Sequence, residues 1–159
     1  MKIKSIYKLL IAFGATALAG AIGSLATAQS IPTWYENLNK TVLTPPNWIF
    51  GPVWTLLYIL MAVAAYLVWH ENKKEKKTKE ALILFGGQLA LNALWSIIFF
   101  NLHLMLSAFI ELLLLLAIII ITTTWFYDIK KLAAYLMIPY IVWVSFASIL
   151  NLLTWLANR

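Results

Sequence analysis

Five apolar runs, each long enough to cross a lipid bilayer, constrain the fold of this chain more than any other feature of its sequence. Polar or proline-rich breaks separate the runs, and a bilayer span needs about 20 mainly apolar residues in a helix. A chain of 159 residues with five such spans leaves no room for a separate soluble domain. The sequence therefore predicts an all-α integral membrane protein, a single bundle over residues 1–159. The predicted helices lie near 7–28, 46–69, 80–100, 104–127 and 132–155.

The composition excludes several kinds of chemistry. Hydrophobic residues make up 63% of the chain and charged residues 11%, whereas soluble proteins average roughly half and a quarter. The absence of cysteine excludes disulfides, thiolate metal sites and cysteine nucleophiles. His70 and His103 are predicted at opposite faces of the membrane, so we expect neither a shared metal site nor a covalently bound cofactor.

The basic residues are distributed unevenly between the two ends of the predicted bundle. Ten of the twelve would share the side of the N-terminus, and only Lys40 and Arg159 would lie on the other. Because basic residues favour the cytoplasmic side, the N-terminus is predicted to be cytoplasmic and the C-terminus outside. Lysines beside anionic lipid headgroups explain the net charge of +6 without nucleic acid. The segment from Glu71 to Lys79 is predicted to be a cytoplasmic loop.

The N-terminal region imitates a cleavable signal peptide. Lys2, Lys4 and Lys8 precede an apolar run that ends in the small-residue triplet Ala26-Thr27-Ala28. The apolar run is about 20 residues long, which exceeds the usual 7–15 of a signal peptide. We therefore expect it to be retained as the first helix.

The eight tryptophans fall into two groups by predicted depth. Three are expected at the membrane interfaces, where tryptophan is enriched: Trp69, Trp125 and Trp155. The other five are predicted to surround a cavity in the outer half, where stacked indole faces suit flat, apolar ligands. Ordinary packing is the alternative. These five are Trp34, Trp48, Trp54, Trp95 and Trp143.

Helical spacing predicts that three helices present mixed aromatic and polar stripes to the interior. Gln88 and Asn92 stand within an apolar run, and an amide facing hydrocarbon would be costly. They are therefore expected inside, either in a binding site or only bonding helix to helix. The stripes are Trp54, Tyr58, Met61 and Ala65; Gln88, Asn92, Trp95 and Phe99; and Tyr140, Trp143, Ala147, Leu150 and Thr154.

Glu111 is the only carboxylate predicted well inside a span, and intramembrane acids are functional candidates by default. The alternative is that Glu111 is protonated or hydrogen-bonded to a neighbouring helix. On the predicted third helix, Gly86, Ala90 and Ala93 offer small residues for a close homodimer contact.

Several long motifs resemble the tryptophan-rich sensory protein/translocator protein family (TspO/MBR, the peripheral-type benzodiazepine receptors). The resemblance covers nearly the whole chain. The matching segments are Trp34-Tyr35-x-x-Leu38, Pro45-Pro46-x-Trp48-x-Phe50-Gly51-Pro52-Val53-Trp54-Thr55-x-x-Tyr58, Gln88-x-x-Leu91-Asn92-x-x-Trp95-Ser96-x-x-Phe99-Phe100, Pro139-Tyr140-x-x-Trp143-x-x-Phe146-Ala147 and Leu150-Asn151.

The resemblance implies a five-helix bundle, often dimeric, in a bacterial cytoplasmic membrane, with a pocket under the long loop 29–45 acting as a lid. It implies binding of porphyrins such as protoporphyrin IX, of haem-related tetrapyrroles, sterols and benzodiazepine-like drugs. The implied pocket uses Trp54, Asn92, Trp95, Trp143 and Ala147. Tetrapyrrole transport and light- or oxygen-dependent porphyrin breakdown, with Trp54 and Trp143 as catalytic candidates, are the alternatives to a receptor.

The chain departs from the family pattern in two places. Thr41 and Leu43 stand where the family usually has a lid proline and a lid tryptophan, which implies a looser lid. Leu152 and Leu156 replace the tyrosine and arginine of the animal cholesterol motif, so binding of cholesterol by that motif is not expected.

Overall fold

The computed structural model of the chain describes residues 3–71 and 75–159, and these residues are helical without any strand. Every one of the five long helices contains a stretch that is apolar and long enough to cross a membrane. The predicted all-α, multi-pass membrane fold is therefore confirmed. The helices are α1 (Ile3–Ala28), α2 (Asn47–Glu71), α3 (Glu75–Ser96), α4 (Met105–Ile129) and α5 (Lys131–Ala157).

The helix ends agree with the sequence prediction within a few residues, except at the start of α3. That helix begins at Glu75 rather than near residue 80, so the prediction of a loop up to Lys79 is wrong for residues 75–79. A helical backbone satisfies its own hydrogen bonds while its lysine side chains stay in water, and Glu75 in the first turn complements the helix dipole. Residues 72–74 of the predicted loop lie outside the described part of the chain.

The last turn of α3 widens into a π-helical segment, Ile97–Asn101. Its hydrogen bonds skip one extra residue, as when the Leu102 amide donates to the Ile97 carbonyl at 3.0 Å. The change of period lets two consecutive aromatic side chains, Phe99 and Phe100, both be buried. The turn that follows is closed by His103, whose φ of 57° is left-handed.

The five helices form a closed ring in the spatial order α1, α2, α5, α4, α3. One end of the ring, here called the basic end, holds the start of α1, the facing ends of α2 and α3 and the α4–α5 turn. The opposite loop end holds the 29–46 connection, the α3–α4 turn and the C-terminus. Because the five helices alternate in direction, the start of α1 and the end of α5 lie at opposite ends of the bundle.

The half of the bundle near the basic end is densely packed. Phe126 stacks on Phe85 with ring centroids 5.9 Å apart, and the surrounding aliphatic side chains are almost inaccessible to solvent. Ion pairs close this end, with Lys77 2.6 Å from Asp128. In the other half the ring of helices encloses a cavity beside a smaller buried cluster of Tyr35, Phe99, Phe100 and Ala108.

The three tryptophans predicted at interfaces each lie next to a basic side chain. The ammonium nitrogen of Lys8 lies 5.7 Å from the centre of the Trp69 ring, and that of Lys77 lies 5.9 Å from the centre of the Trp125 ring. At the loop end, Trp155 lies 5.7 Å from the guanidinium of Arg159. These positions fit interfacial belts. Which side of the membrane the basic end faces stays a prediction.

Candidate ligand cavity

A cavity of about 530 Å³ occupies the loop end of the bundle. Its wall is built by α1, α2, α3 and α5 and by the connection between α1 and α2, while α4 contributes no residue to it. Every side chain in the wall is uncharged. The principal wall residues are Phe13, Ala17, Gly20, Gly23, Ser24, Tyr35, Phe50, Gly51, Trp54, Thr55, Tyr58, Asn92, Trp95, Ser96, Phe99, Ala147, Leu150 and Asn151.

Small residues on α1 leave the space that the cavity occupies. A Cβ atom added to Gly20 would lie 2.9 Å from the Tyr58 ring, and one added to Gly23 would lie 3.2 Å from the Ser96 hydroxyl oxygen. These two glycines therefore let α2 and α3 approach α1 closely. Gly14 has no such neighbour within 4 Å.

Two indoles form the flat part of the wall. Trp54 stacks on Tyr58 with ring centroids 5.6 Å apart, and Trp95 stacks on Phe99 at the same distance. The Trp95 Nε1–H donates to Asn151 Oδ1 at 3.2 Å, so its orientation is fixed. Within the described chain the Trp54 N–H has no hydrogen-bond acceptor, which leaves this donor free for a bound molecule.

The polar floor of the cavity is centred on Asn92. The Tyr58 hydroxyl donates to Asn92 Oδ1 at 2.6 Å, and Asn92 Nδ2 donates to the Tyr140 hydroxyl at 3.1 Å. Asn92 thus ties α2, α3 and α5 together while it also lines the cavity. Asn92 is therefore both a helix-to-helix link and a wall residue, and its contact with a ligand stays a prediction.

Gln88 is fully buried one turn below Asn92, as predicted for an interior amide. It does not line the cavity, and neither its Nε2 nor its Oε1 atom has a hydrogen-bond partner among the described residues. Glu111 is 8% exposed and is also absent from the wall. Its two carboxyl oxygens have no partner in the described part of the chain either.

The four threonine hydroxyl groups in the wall donate hydrogen bonds within their own helix. Thr55 donates to the Gly51 carbonyl at 2.9 Å, and Thr154 donates to the Leu150 carbonyl at 2.8 Å. Thr16 likewise bonds the carbonyls of its own preceding turn. Since each of these hydroxyl protons is already donated, the threonines offer a ligand a methyl group and an acceptor oxygen but no free donor, and the cavity is less polar than its residue names suggest.

The connection between α1 and α2 covers the loop end of the cavity and is attached at three points. The Ser30 hydroxyl donates to the Phe100 carbonyl at 2.6 Å. Trp34 stacks on His103 with centroids 4.1 Å apart. The Asn39 amide donates to Asn158 Oδ1 at 2.9 Å. These contacts span the whole width of the bundle, from the α3–α4 turn to the end of α5.

Tyr35 is the buried residue of this connection and one of the wall residues. It packs against Phe99 and Phe100, and burial raises the pKa of its phenol. The ammonium group of Lys40 lies 4.7 Å from the centre of its ring. Lys40 is therefore the cation next to the covered end of the cavity.

Thr41 and Leu43, which replace the family's usual lid proline and tryptophan, belong to a turn. The Thr44 amide donates to the Thr41 carbonyl at 3.0 Å. Leu43 is 52% exposed and Val42 is fully exposed. This part of the connection projects away from the bundle, which explains how the chain accommodates a leucine where an aromatic contact is usual.

The sequence predicts ten ligand contacts, and six of them line the cavity; the ten are Trp34, Trp48, Trp54, Tyr58, Asn92, Trp95, Phe99, Tyr140, Trp143 and Ala147. The six are Trp54, Tyr58, Asn92, Trp95, Phe99 and Ala147. Of the five tryptophans predicted to surround the cavity, only Trp54 and Trp95 are in its wall. The predicted placement of the other three in the wall was wrong. The assignment of the six as ligand contacts stays a prediction.

The other four residues lie outside the wall for identifiable reasons. Trp34 packs behind Phe99, and Trp48 is 73% exposed at the start of α2. Tyr140 is fully buried behind Asn92. Trp143 packs behind the wall residue Phe50, with ring centroids 5.9 Å apart.

None of the predicted stripes lies on α1, although α1 forms a large part of the wall. The cavity is lined on this helix by Phe13, Ala17, Gly20 and Ser24. These residues do not form a stripe of aromatic and hydrogen-bonding side chains like those predicted on the other helices. Their only signal was the abundance of small residues in the first helix. His70 and His103 lie at opposite ends of the bundle, and the described residues contain no cluster of potential metal ligands.

Comparison of the sequence with known proteins identifies a family and several relatives. The model of the TspO/MBR family matches residues 12–156. The tryptophan-rich protein TspO of Archaeoglobus fulgidus is 40% identical over 154 residues, covering 97% of this chain and 99% of that protein. The translocator protein of Homo sapiens is 41% identical over 127 residues, covering 79% and 75%.

A third relative, the tryptophan-rich protein TspO of Chlorobaculum tepidum, is 36% identical over 148 residues, covering 93% of this chain and 94% of that protein. The matched region includes α2, α3 and α4 in full, most of α1 and α5, and every wall residue named above. With five membrane-spanning helices and similarity along nearly its whole length, the chain belongs to the TspO/MBR family of multi-pass membrane proteins.

Proposed function

We propose that this protein is a membrane receptor that binds porphyrins, such as protoporphyrin IX and haem-related tetrapyrroles, and other flat hydrophobic molecules in the cavity. Its role would be tetrapyrrole sensing or a stress response. The observation that carries the proposal is the pairing of two indoles, Trp54 and Trp95, in one uncharged cavity under an attached loop. Sterols and benzodiazepine-like drugs belong to the same class of flat, apolar ligand.

The size and chemistry of the cavity support this proposal. Its volume of about 530 Å³ lies within the range of roughly 300–1,000 Å³ that holds small-molecule ligands. Aromatic faces contribute stacking energy of about 0.5–1.5 kcal/mol per pair beyond the burial of area. The Trp54 N–H, and the hydrogen-bonding capacity that Asn92 keeps beside its bonds to Tyr58 and Tyr140, can orient a ligand.

The carboxylates of a porphyrin restrict its orientation in this cavity. No wall residue carries a positive charge, and an unpaired carboxylate in an apolar environment is strongly unfavourable. Lys40 is a cation in contact with the wall residue Tyr35 at the covered end. We therefore place the apolar macrocycle between the indoles and the propionates toward the loop end.

A cavity-filling substitution tests the proposal. Ala147→Phe adds a ring to the α5 wall, and we expect it to weaken protoporphyrin IX binding by about tenfold or more, which is about 1.4 kcal/mol. Val142→Phe on the same helix is the control because that residue is 62% exposed on the outer surface. Quenching of tryptophan fluorescence in lipid vesicles measures both affinities. Equal affinities for the two variants and the unsubstituted protein would contradict the proposal.

Light-dependent porphyrin breakdown stays a prediction, with Trp54 and Trp143 as its candidate residues. Trp54 lines the cavity, whereas Trp143 lies behind Phe50 and would not contact a bound pigment directly. Illuminating the protein with bound protoporphyrin IX and separating the pigments distinguishes the two activities. A product that is lost in Trp54→Phe indicates an enzyme, and quenching without product indicates a receptor.

We also propose that two copies associate through the outer face of α3. Gly86, Gly87 and Ala90 are exposed there, and a Cβ atom added to either glycine would meet nothing within 4 Å. Ala93, the third residue of the predicted contact, is 7% exposed and packs inside its own bundle, so its inclusion was wrong. If Gly86→Leu leaves a dimer intact in both detergent and lipid, this interface is excluded.

A further inference from the structure

We infer that ligands enter the cavity from the hydrocarbon of the bilayer, through a lateral gap between α1 and α2, and not from water past the loop. The gap is defined by Ala17 and Ser24 on α1 and by Gly51, Thr55 and Ile59 on α2. The inference rests on the proposed function, because it states the route by which a hydrophobic ligand reaches the cavity.

On α2 the cavity wall continues onto the outer surface of the helix. Successive positions rotate by about 100°, so the wall extends from Trp54 and Tyr58 around to Thr55 and Ile59. Ile59 is a wall residue and is also 44% exposed. Its neighbour on the outer face, Leu56, is 55% exposed and is not part of the wall.

On α1 the wall likewise reaches the outer surface. Ala17 and Ser24 line the cavity and are both exposed. They are adjacent in sequence to Leu18 and Leu25, which are 63% and 78% exposed and face away from the cavity. The wall therefore meets the lipid-facing surface on both helices at the same seam.

The seam lacks side chains large enough to close it. Four of the five gap residues are glycine, alanine, serine or threonine, and a Cβ atom added to Gly51 would meet nothing within 4 Å. Near the basic end the same two helices are tied together. There Ser5 and Tyr66 share a hydrogen bond of 2.7 Å, and Lys8 donates to the Trp69 carbonyl at 2.9 Å. The helices are thus linked by hydrogen bonds near the basic end, whereas along the cavity their described contact is the packing of Gly20 against the Tyr58 ring, on the inner side of the gap residues.

The loop end offers a less favourable entrance. Three separate attachments hold the connection across it, at Ser30, Trp34 and Asn39. A path through the gap passes only uncharged residues, so an apolar molecule dissolved in lipid would not cross water. The gap therefore favours compounds that partition into the membrane, including tetrapyrroles and sterols.

Substituting adjacent residues tests the gap. Thr55→Phe places a ring at the seam, whereas Leu56→Phe places the same ring on the outer surface one residue further. We expect Thr55→Phe to lower both the association and the dissociation rate of protoporphyrin IX by about tenfold, with a smaller change in affinity. Leu56→Phe should leave both rates unchanged. Stopped-flow quenching in vesicles preloaded with the pigment measures them.

A crosslink across the loop end provides the complementary test. The chain has no cysteine, so Asn39→Cys with Asn158→Cys supplies one defined disulfide between segments that already touch. We expect the oxidised and reduced forms to bind at the same rate. Slower binding in the oxidised form, together with an unchanged rate in Thr55→Phe, would overturn the inference. If the unsubstituted protein shows no saturable binding, the proposed function fails and this inference fails with it.

Discussion

Asn92 illustrates how one residue serves both the cavity and the packing of the bundle. Its carbonyl oxygen accepts from Tyr58 on α2, and its amide nitrogen donates to Tyr140 on α5. Such interhelical hydrogen bonds in membranes contribute about 0.6 kcal/mol each. The position of Asn92 in the wall therefore depends on two tyrosines, of which only Tyr58 can reach a ligand.

We predict that Asn92→Leu destabilises the protein by about 1–3 kcal/mol, because it leaves two tyrosine hydroxyls without their partner. Tyr140→Phe removes one bond and no cavity atom, so we expect a loss of about 0.6 kcal/mol and nearly unchanged ligand affinity. Unfolding in mixed micelles measures both losses. Equal destabilisation by the two substitutions would argue against Asn92 as the centre of this network.

The burial of a residue was predictable from the sequence where a polar side chain stands within an apolar, membrane-spanning run. Gln88 and Asn92 had to be interior because their amides stand in apolar runs, and both are buried. The tryptophans were harder, since an indole is equally suited to a wall, to packing behind it or to an interface. Trp143 follows its stripe yet is screened from the cavity by Phe50, a contact between distant segments that no local pattern encodes.

At the scale of the helices, α1 differs from the others because its small residues determine the spacing of the bundle. Gly20 and Gly23 face Tyr58 and Ser96 at short range, whereas Gly14 faces open space. The sequence signalled the abundance of small residues but not which of them would face a neighbour. Likewise, the π-helical end of α3 depends on the packing of Phe99 and Phe100 under Tyr35, which lies far away in sequence.

We predict opposite effects of alanine at two glycines of α1. Gly20→Ala forces the Tyr58 ring away from 2.9 Å and should cost about 1–3 kcal/mol, with weaker porphyrin binding. Gly14→Ala meets nothing within 4 Å and should stabilise the helix by up to about 1 kcal/mol. Thermal unfolding in detergent compares the two. A stabilising Gly20→Ala would show that the close approach is unimportant.

At the scale of the whole molecule, the number and order of the spans were predictable because hydrocarbon thickness and backbone hydrogen bonding leave few alternatives. Five predicted helices correspond to five observed ones. The closed ring, with α1 beside α3, was not predictable, since it depends on which small residues face which neighbours. The position of the cavity follows from that ring.

The predicted orientation can be measured on intact cells. Val42 is fully exposed at the loop end, and Lys76 is exposed at the basic end. Because the chain contains no cysteine, Val42→Cys and Lys76→Cys each provide a single thiol. We expect a membrane-impermeant maleimide to label Val42→Cys in intact cells and Lys76→Cys only after permeabilisation. The reverse labelling pattern would show that the basic end faces outward and would contradict the predicted orientation.

The central claim is that a flat hydrophobic ligand lies between Trp54 and Trp95 in the cavity under the loop. An experimental structure of the protein in lipid with protoporphyrin IX tests this claim most directly. We predict density for the macrocycle in the cavity, beside both indoles and Asn92, with its carboxylates toward Lys40. Density bound instead on the outer surface of the helices or at the basic end, with an empty cavity, would contradict it.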